Sequence, residues 1–104
     1  MLHEQHVGHV HLPSGRVLGP FDLHLSLTAP RGSPASWRVQ LTVPSEVGEE
    51  IKNAPGNVRV VTTGGEGGEA YVSHAAFEGA KCHLGLQGTG TFGPLVTVAK
   101  FPTR

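Results

Sequence analysis

Residues 21–27 read FDLHLSL, with a large apolar side chain at every odd position and a polar one at every even position. Residues 37–43, WRVQLTV, repeat this alternation. Side chains of a β-strand point alternately to its two faces, so a period of two predicts strands with one buried and one solvent-exposed face. Such strands are typical of antiparallel sheets. Odd-numbered side chains between residues 17 and 43 are therefore expected to point inward. The expected core residues are Phe21, Leu23, Leu25, Leu27, Trp37, Val39, Leu41, Val43, Leu84 and Leu86.

The rest of the chain reads as further short strands separated by turns. Gly19-Pro20 is interpreted as a kink or bulge that keeps the strand phase, and the glycines of residues 64–68 as a mobile turn. Ser45 can cap a short helix. The predicted fold is all-β, a small antiparallel β-barrel or β-sandwich of about seven strands with one short helix near residues 45–52. The predicted strands are 4–12, 16–27, 36–43, 57–63, 69–77, 81–88 and 95–101.

Length and composition limit the functions that the chain can have. Its 104 residues suit one domain, 1–104. Eight Lys and Arg balance eight Asp and Glu, so no net charge attracts nucleic acid or an anionic membrane. No apolar run approaches the roughly 20 residues of a membrane helix, and the first residues lack the features of a signal peptide. A cytoplasmic location is predicted. The single cysteine fits that compartment and excludes an internal disulfide.

Four of the seven histidines lie between residues 3 and 11. His9 and His11 share one face of a strand, about 7 Å apart at the backbone, a spacing that metal sites use. If Ser14-Gly15 forms a two-residue turn, residues whose numbers sum to 29 face each other across the hairpin, and Asp22 becomes a diagonal neighbour of His9. A site for a divalent metal such as zinc is therefore predicted at His9, His11 and Asp22. The competing interpretation treats these residues as a solvated strand face.

The polar faces of the two best strands offer a different kind of site. If the two strands are adjacent, their outward side chains form a concave polar patch, for which a small ligand bound by His24, Arg38 and Gln40 is predicted. Catalytic residues are not indicated. Cys82 and His83 are neighbours on a strand and point to opposite faces, so they cannot form a nucleophile–base pair. The sequence thus favours a protein that is not an enzyme, without deciding the question.

Three hypotheses for function follow. The leading one is a non-catalytic interaction or assembly module that self-associates or binds a protein partner. The second is a metal-binding protein or metal-dependent hydrolase that uses the N-terminal histidines. The third is an OB-like binder of single-stranded nucleic acid or oligosaccharide. Its nucleic-acid form is disfavoured because few basic or outward-facing aromatic side chains are available.

Overall fold

The computed structural model describes residues 2–28, 36–90 and 92–94. One helix, α1 (Ser45–Lys52), joins the third and fourth strands. The all-β class and the short helix are confirmed, and the predicted strand at 95–101 lies outside the described residues. The strands are β1 (Leu2–His11), β2 (Val17–Thr28), β3 (Ser36–Pro44), β4 (Val58–Thr62), β5 (Glu66–Glu78), β6 (Lys81–Gly88) and β7 (Gly93–Pro94).

Six of these strands close into an antiparallel barrel. Their order is β4-β1-β2-β3-β6-β5, and β5 pairs back with β4. The barrel consists of two three-stranded meanders, β1 to β3 and β4 to β6, joined in sequence by α1 and held together by the β1–β4 and β3–β6 pairs. Of the two architectures that the sequence allowed, a barrel and a sandwich, the structure shows the barrel. The short β7 only adds a pairing to β5.

The predicted core is largely confirmed. Eight of its ten residues are buried, while Phe21 and Leu27 are partly buried and pack against the others. Trp37 is the largest buried side chain of β3; its indole Nε1–H donates to the Gly90 carbonyl oxygen at 2.8 Å, and its ring lies 4.8 Å from that of Phe92. The core also contains buried residues that were not among the ten, including Val10, Leu18, Ile51, Val58, Val60 and Ala70.

The bulge at Gly19-Pro20 is confirmed, but the prediction that it keeps the strand phase is wrong. Phe21 pairs with Gly8 and Leu18 with Val10, so two residues of β2 stand opposite one residue of β1. An extra residue reverses the inward and outward faces of a strand. Leu18 is consequently 7% exposed, whereas Val17 is 51% exposed. Odd positions therefore point inward only after the bulge.

The glycine-rich segment at 64–68 is only partly a turn. β5 already begins at Glu66, and Gly67 and Gly68 are buried opposite Val61 and Val60 of β4. A Cβ at Gly67 would collide with the Val60 carbonyl oxygen. Glycine therefore allows β4 and β5 to approach closely here. The interpretation of Gly67 and Gly68 as part of a mobile turn is wrong.

The helix α1 packs closely on β6. Gly48 is buried, and a Cβ at this position would overlap both Cβ and Sγ of Cys82. Arg16 in the first hairpin loop forms an ion pair with Glu50 on the solvent side of the helix. No helix among the described residues is long and apolar enough to cross a membrane. The predicted cytoplasmic location stays a prediction.

Candidate functional site

The antiparallel register aligns outward side chains in a row across four neighbouring strands. His24 of β2 pairs with Gln40 of β3, Gln40 with Gly85 of β6, and Gly85 with His74 of β5. Adjacent strands lie about 4.8 Å apart, so this row spans roughly 14 Å. Gly85 is the one residue of this row without a side chain, so a gap lies between the polar side chains of Gln40 and His74.

Gly85 forms the floor of that gap. It occupies an outward position between the buried side chains of Leu84 and Leu86. A Cβ here would lie 3.3 Å from the His74 Cβ and 3.5 Å from the Ser73 hydroxyl oxygen. Any side chain at this position would therefore fill the depression between Gln40 and His74.

A bulge in β5 supplies one wall. The register with β6 shifts between Val72 and His74, which leaves Ser73 as the extra residue. The Ser73 hydroxyl donates to the Gly85 carbonyl oxygen at 3.1 Å. Since an extra residue reverses the strand faces, His74 points outward, whereas Ala75 is partly buried against the core.

These features form a polar groove with a cavity volume of about 460 Å³ on the outer face of the barrel. The predicted ligand-binding residues His24, Arg38 and Gln40 all line it. The sequence analysis missed the contribution of β5 and β6, which are far from β2 and β3 in the chain and supply Ser73, His74 and His83 to the lining. One signal in the sequence could have indicated the depression. Gly85 lies between Leu84 and Leu86, at a strand position where the alternation predicts an outward polar side chain.

A second cavity of about 290 Å³ adjoins the groove. Arg38 and Gln40 line both cavities and separate them. The lining of the second cavity is again polar, with His3, Ser26 and Gln87 among its residues. The His3 imidazole Nδ1 lies 3.1 Å from the Ser26 hydroxyl oxygen, which ties the start of β1 to β2. The two cavities therefore form one continuous polar surface.

The ionisable side chains that line this surface are basic. Four of the seven histidines line the two cavities, Arg38 lies between them, and none of the described lining residues is Asp or Glu. Among the described arginines, Arg16 and Arg59 are each paired with a carboxylate, whereas Arg38 forms no ion pair with a described residue. Within the described part of the chain, the hydrogen bond of its side chain is from Nε–H to the Gln87 side-chain oxygen, at 3.5 Å. The guanidinium thus keeps donors for a bound anion.

His83 has the most polar contacts of the imidazoles in the groove. Its Nδ1 lies 3.0 Å from the Thr42 hydroxyl oxygen, and its Nε2 lies 3.4 Å from a Glu78 carboxylate oxygen. The side chains of His83 and Glu78 are 49% and 83% exposed, so water competes for these contacts.

The predicted metal ligands are not brought together. Asp22 stands opposite Val7, as the predicted register requires, but His9 packs against Gly19 in the β2 bulge and His11 borders a separate small cavity with Arg59 and Glu69. Within residues 2–28, 36–90 and 92–94, no group of three or more His, Cys, Asp or Glu side chains is arranged to hold a metal ion. His9, His11 and Asp22 therefore do not form a metal-binding group in this structure.

Cys82 lies on the inner face, opposite to its neighbour His83, as the strand phase predicts. Its side chain is fully buried beneath α1. Burial raises the pKa of the Cys82 thiol, and the positive charge of Lys52 offsets part of that rise. A buried thiol with a raised pKa is a poor nucleophile.

Comparisons with protein-family models, curated proteins and solved structures give no match for this chain. Function must therefore be inferred from the groove and its lining.

Proposed function

We propose that the protein is a non-catalytic binding module that holds a small polar ligand in the groove on the outer face of β2, β3, β6 and β5. The observation that carries this proposal is the depression over Gly85, surrounded by outward polar side chains of four strands. Ligand sites are concave and contain a few convergent polar groups, with volumes of about 300–1,000 Å³. The groove meets these criteria, although its lining is more polar than that of most such sites.

A strand framework supports binding in a fixed geometry. His24, Gln40 and His74 project from paired strands rather than from loops, so the backbone hydrogen bonds of the barrel fix their spacing. The open groove and the solvent-exposed His83–Glu78 contact favour reversible binding over covalent catalysis, because nucleophilic chemistry benefits from sites that exclude water. Self-association and a protein partner stay predictions.

The OB-like alternative is less well supported. The closed barrel has six strands instead of the five of an OB fold. Sites for single-stranded nucleic acid use aromatic rings as stacking platforms. Among the described residues that line the two cavities, Trp37 is the one Phe, Tyr or Trp side chain, and it is only 2% exposed. A ligand that does not depend on base stacking therefore fits the groove better.

The experiment is a thermal-shift panel on the full chain with inorganic phosphate, sulfate, glucose, glucose-6-phosphate and glucuronate as probes. Unfolding is followed by the fluorescence of Trp37, the only tryptophan. A ligand at ten times its Kd stabilises the folded state by about 1.4 kcal/mol. For a domain of this size, that is a rise in Tm of about 6 °C.

The decisive variant is Gly85→Leu, which fills the floor of the groove. Its matched control is Gly64→Leu, because Gly64 lies outside the groove and a Cβ there would meet only the Thr62 hydroxyl oxygen, at 3.7 Å. We expect at least one probe to raise the Tm of the wild type and of Gly64→Leu but not that of Gly85→Leu. Circular dichroism checks that both variants fold. The proposal is wrong if no probe stabilises the wild type, or if Gly85→Leu responds as the wild type does.

A further inference from the structure

We infer that the ligand of this groove is an anion carried on a hydroxyl-rich body, as in a phosphorylated or carboxylated sugar, with its anionic group at Arg38. This inference rests on the proposed function and specifies its ligand class. It follows from the position of Arg38, from the chemistry of the lining and from the absence of exposed Phe, Tyr or Trp rings among the described lining residues.

Arg38 lies where the two cavities meet. It pairs with Ser26 on one side and with Gln87 on the other, so its side chain stands in the middle of the polar surface. Its guanidinium presents a planar fork of donors that matches the oxygen atoms of a phosphate or carboxylate. With no described carboxylate paired to it and none in the lining, an anionic ligand is the natural partner of this charge.

The remaining lining determines the body of the ligand. The exposed groups that line the groove with Arg38 include the Gln40 amide, the Thr42 hydroxyl and the imidazoles of His24 and His74. These groups donate to and accept from hydroxyls in several directions. The leucines of the lining, Leu41 and Leu84, are almost fully buried and offer little surface to an apolar body.

Among the described lining residues, no exposed Phe, Tyr or Trp ring offers a stacking platform to a nucleotide base. The Trp37 ring packs over Gly88 and against Phe92 on the core side, so it cannot present its face to a ligand. Stacking on aromatic side chains contributes about 5- to 150-fold in affinity for each base. A polyhydroxy body needs no such platform, and two adjoining cavities give it room on either side of the anionic group.

Calorimetric titrations of the full chain test this inference. The probes are glucose-6-phosphate, glucuronate, glucose, inorganic phosphate and adenosine monophosphate. We expect glucose-6-phosphate or glucuronate to bind at least tenfold more tightly than glucose and than inorganic phosphate. The two sugar anions distinguish a phosphate from a carboxylate site. Removal of a charged hydrogen-bond partner costs about 1.5–3 kcal/mol, so Arg38→Gln should weaken the preferred sugar anion by 10- to 150-fold.

Arg59→Gln serves as the matched control, because Arg59 lies on β4 outside both cavities and is paired with Glu69. We expect it to bind the sugar anion as the wild type does. Equal binding of glucose and glucose-6-phosphate, with Arg38→Gln unaffected, overturns the anion inference. If Gly85→Leu still abolishes that binding, the proposed function stands. Inorganic phosphate or adenosine monophosphate binding as tightly as the sugar anions overturns the inferred body, and binding that survives Gly85→Leu overturns both conclusions.

Discussion

Replacement of Gly48 by alanine tests how closely α1 approaches the barrel. In an isolated helix, Gly→Ala stabilises by about 1 kcal/mol. Here the new methyl group would overlap Cβ and Sγ of the fully buried Cys82, so either α1 or β6 has to move. Overpacking of a core costs about 1–3 kcal/mol, and an overlap this close belongs at the upper end. A cost of about 3 less a gain of about 1 leaves a net destabilisation of about 2 kcal/mol.

The assay is urea unfolding followed by Trp37 fluorescence, in a double-mutant cycle with Cys82→Gly. Removal of the Cys82 side chain should eliminate the overlap, so Gly48→Ala should become stabilising in that background. The expected coupling is about 3 kcal/mol, the top of the range for residues in contact. Glu49→Ala, on the exposed side of α1, is the control and should be nearly neutral. A Gly48→Ala variant more stable than the wild type would refute the packing described for α1.

Two further predictions concern the facing of β2 and the buried thiol. Leu25→Asp places a carboxylate at a 3% exposed position and should prevent folding. Ser26→Asp lies on the outer face and should change the free energy of unfolding by less than about 0.5 kcal/mol. Equal losses of the circular dichroism signal in the two variants would contradict the assigned facing of β2. Since burial raises the pKa of Cys82, the folded state holds the thiol proton at a pH where the unfolded state releases it. Stability should therefore fall as pH rises above about 8.5, and Cys82→Ala should show a smaller fall in urea unfolding measured over the same pH range.

In the first hairpin, two wrong predictions offset each other: the two-residue turn and the unchanged strand phase at Gly19-Pro20. The predicted register is therefore correct from Gly8 to Leu2. The two-residue turn at Ser14-Gly15 was wrong, because Leu12 N–H donates to the Arg16 carbonyl oxygen and three residues form the loop. Near the loop, paired residues therefore sum to 28, as in Val10 with Leu18. The bulge at Gly19-Pro20 adds one residue, which restores the sum of 29 from Gly8 to Leu2. Loop length and bulge position depend on long-range packing, so strand periodicity alone could not determine them.

The residues that line the candidate site on β2 and β3 could be predicted from the sequence, whereas those on β5 and β6 could not. His24, Arg38 and Gln40 follow a strict alternation, so their common face could be read from the sequence. His74 faces outward only because Ser73 interrupts the phase of β5, and β5 neighbours β3 only through β6. Neither the phase reversal nor the strand order leaves a local sequence signal. The polar patch was therefore predicted, but not the groove that closes around Gly85.

The wall shared by the two cavities has a consequence for how many anions could bind. Arg38 and Gln40 line both spaces, so anions on opposite sides of Arg38 would share its single positive charge. Two such anions would repel each other across a short distance. If the inferred anion site exists, binding of one sugar anion should therefore weaken the binding of a second one in a competition titration.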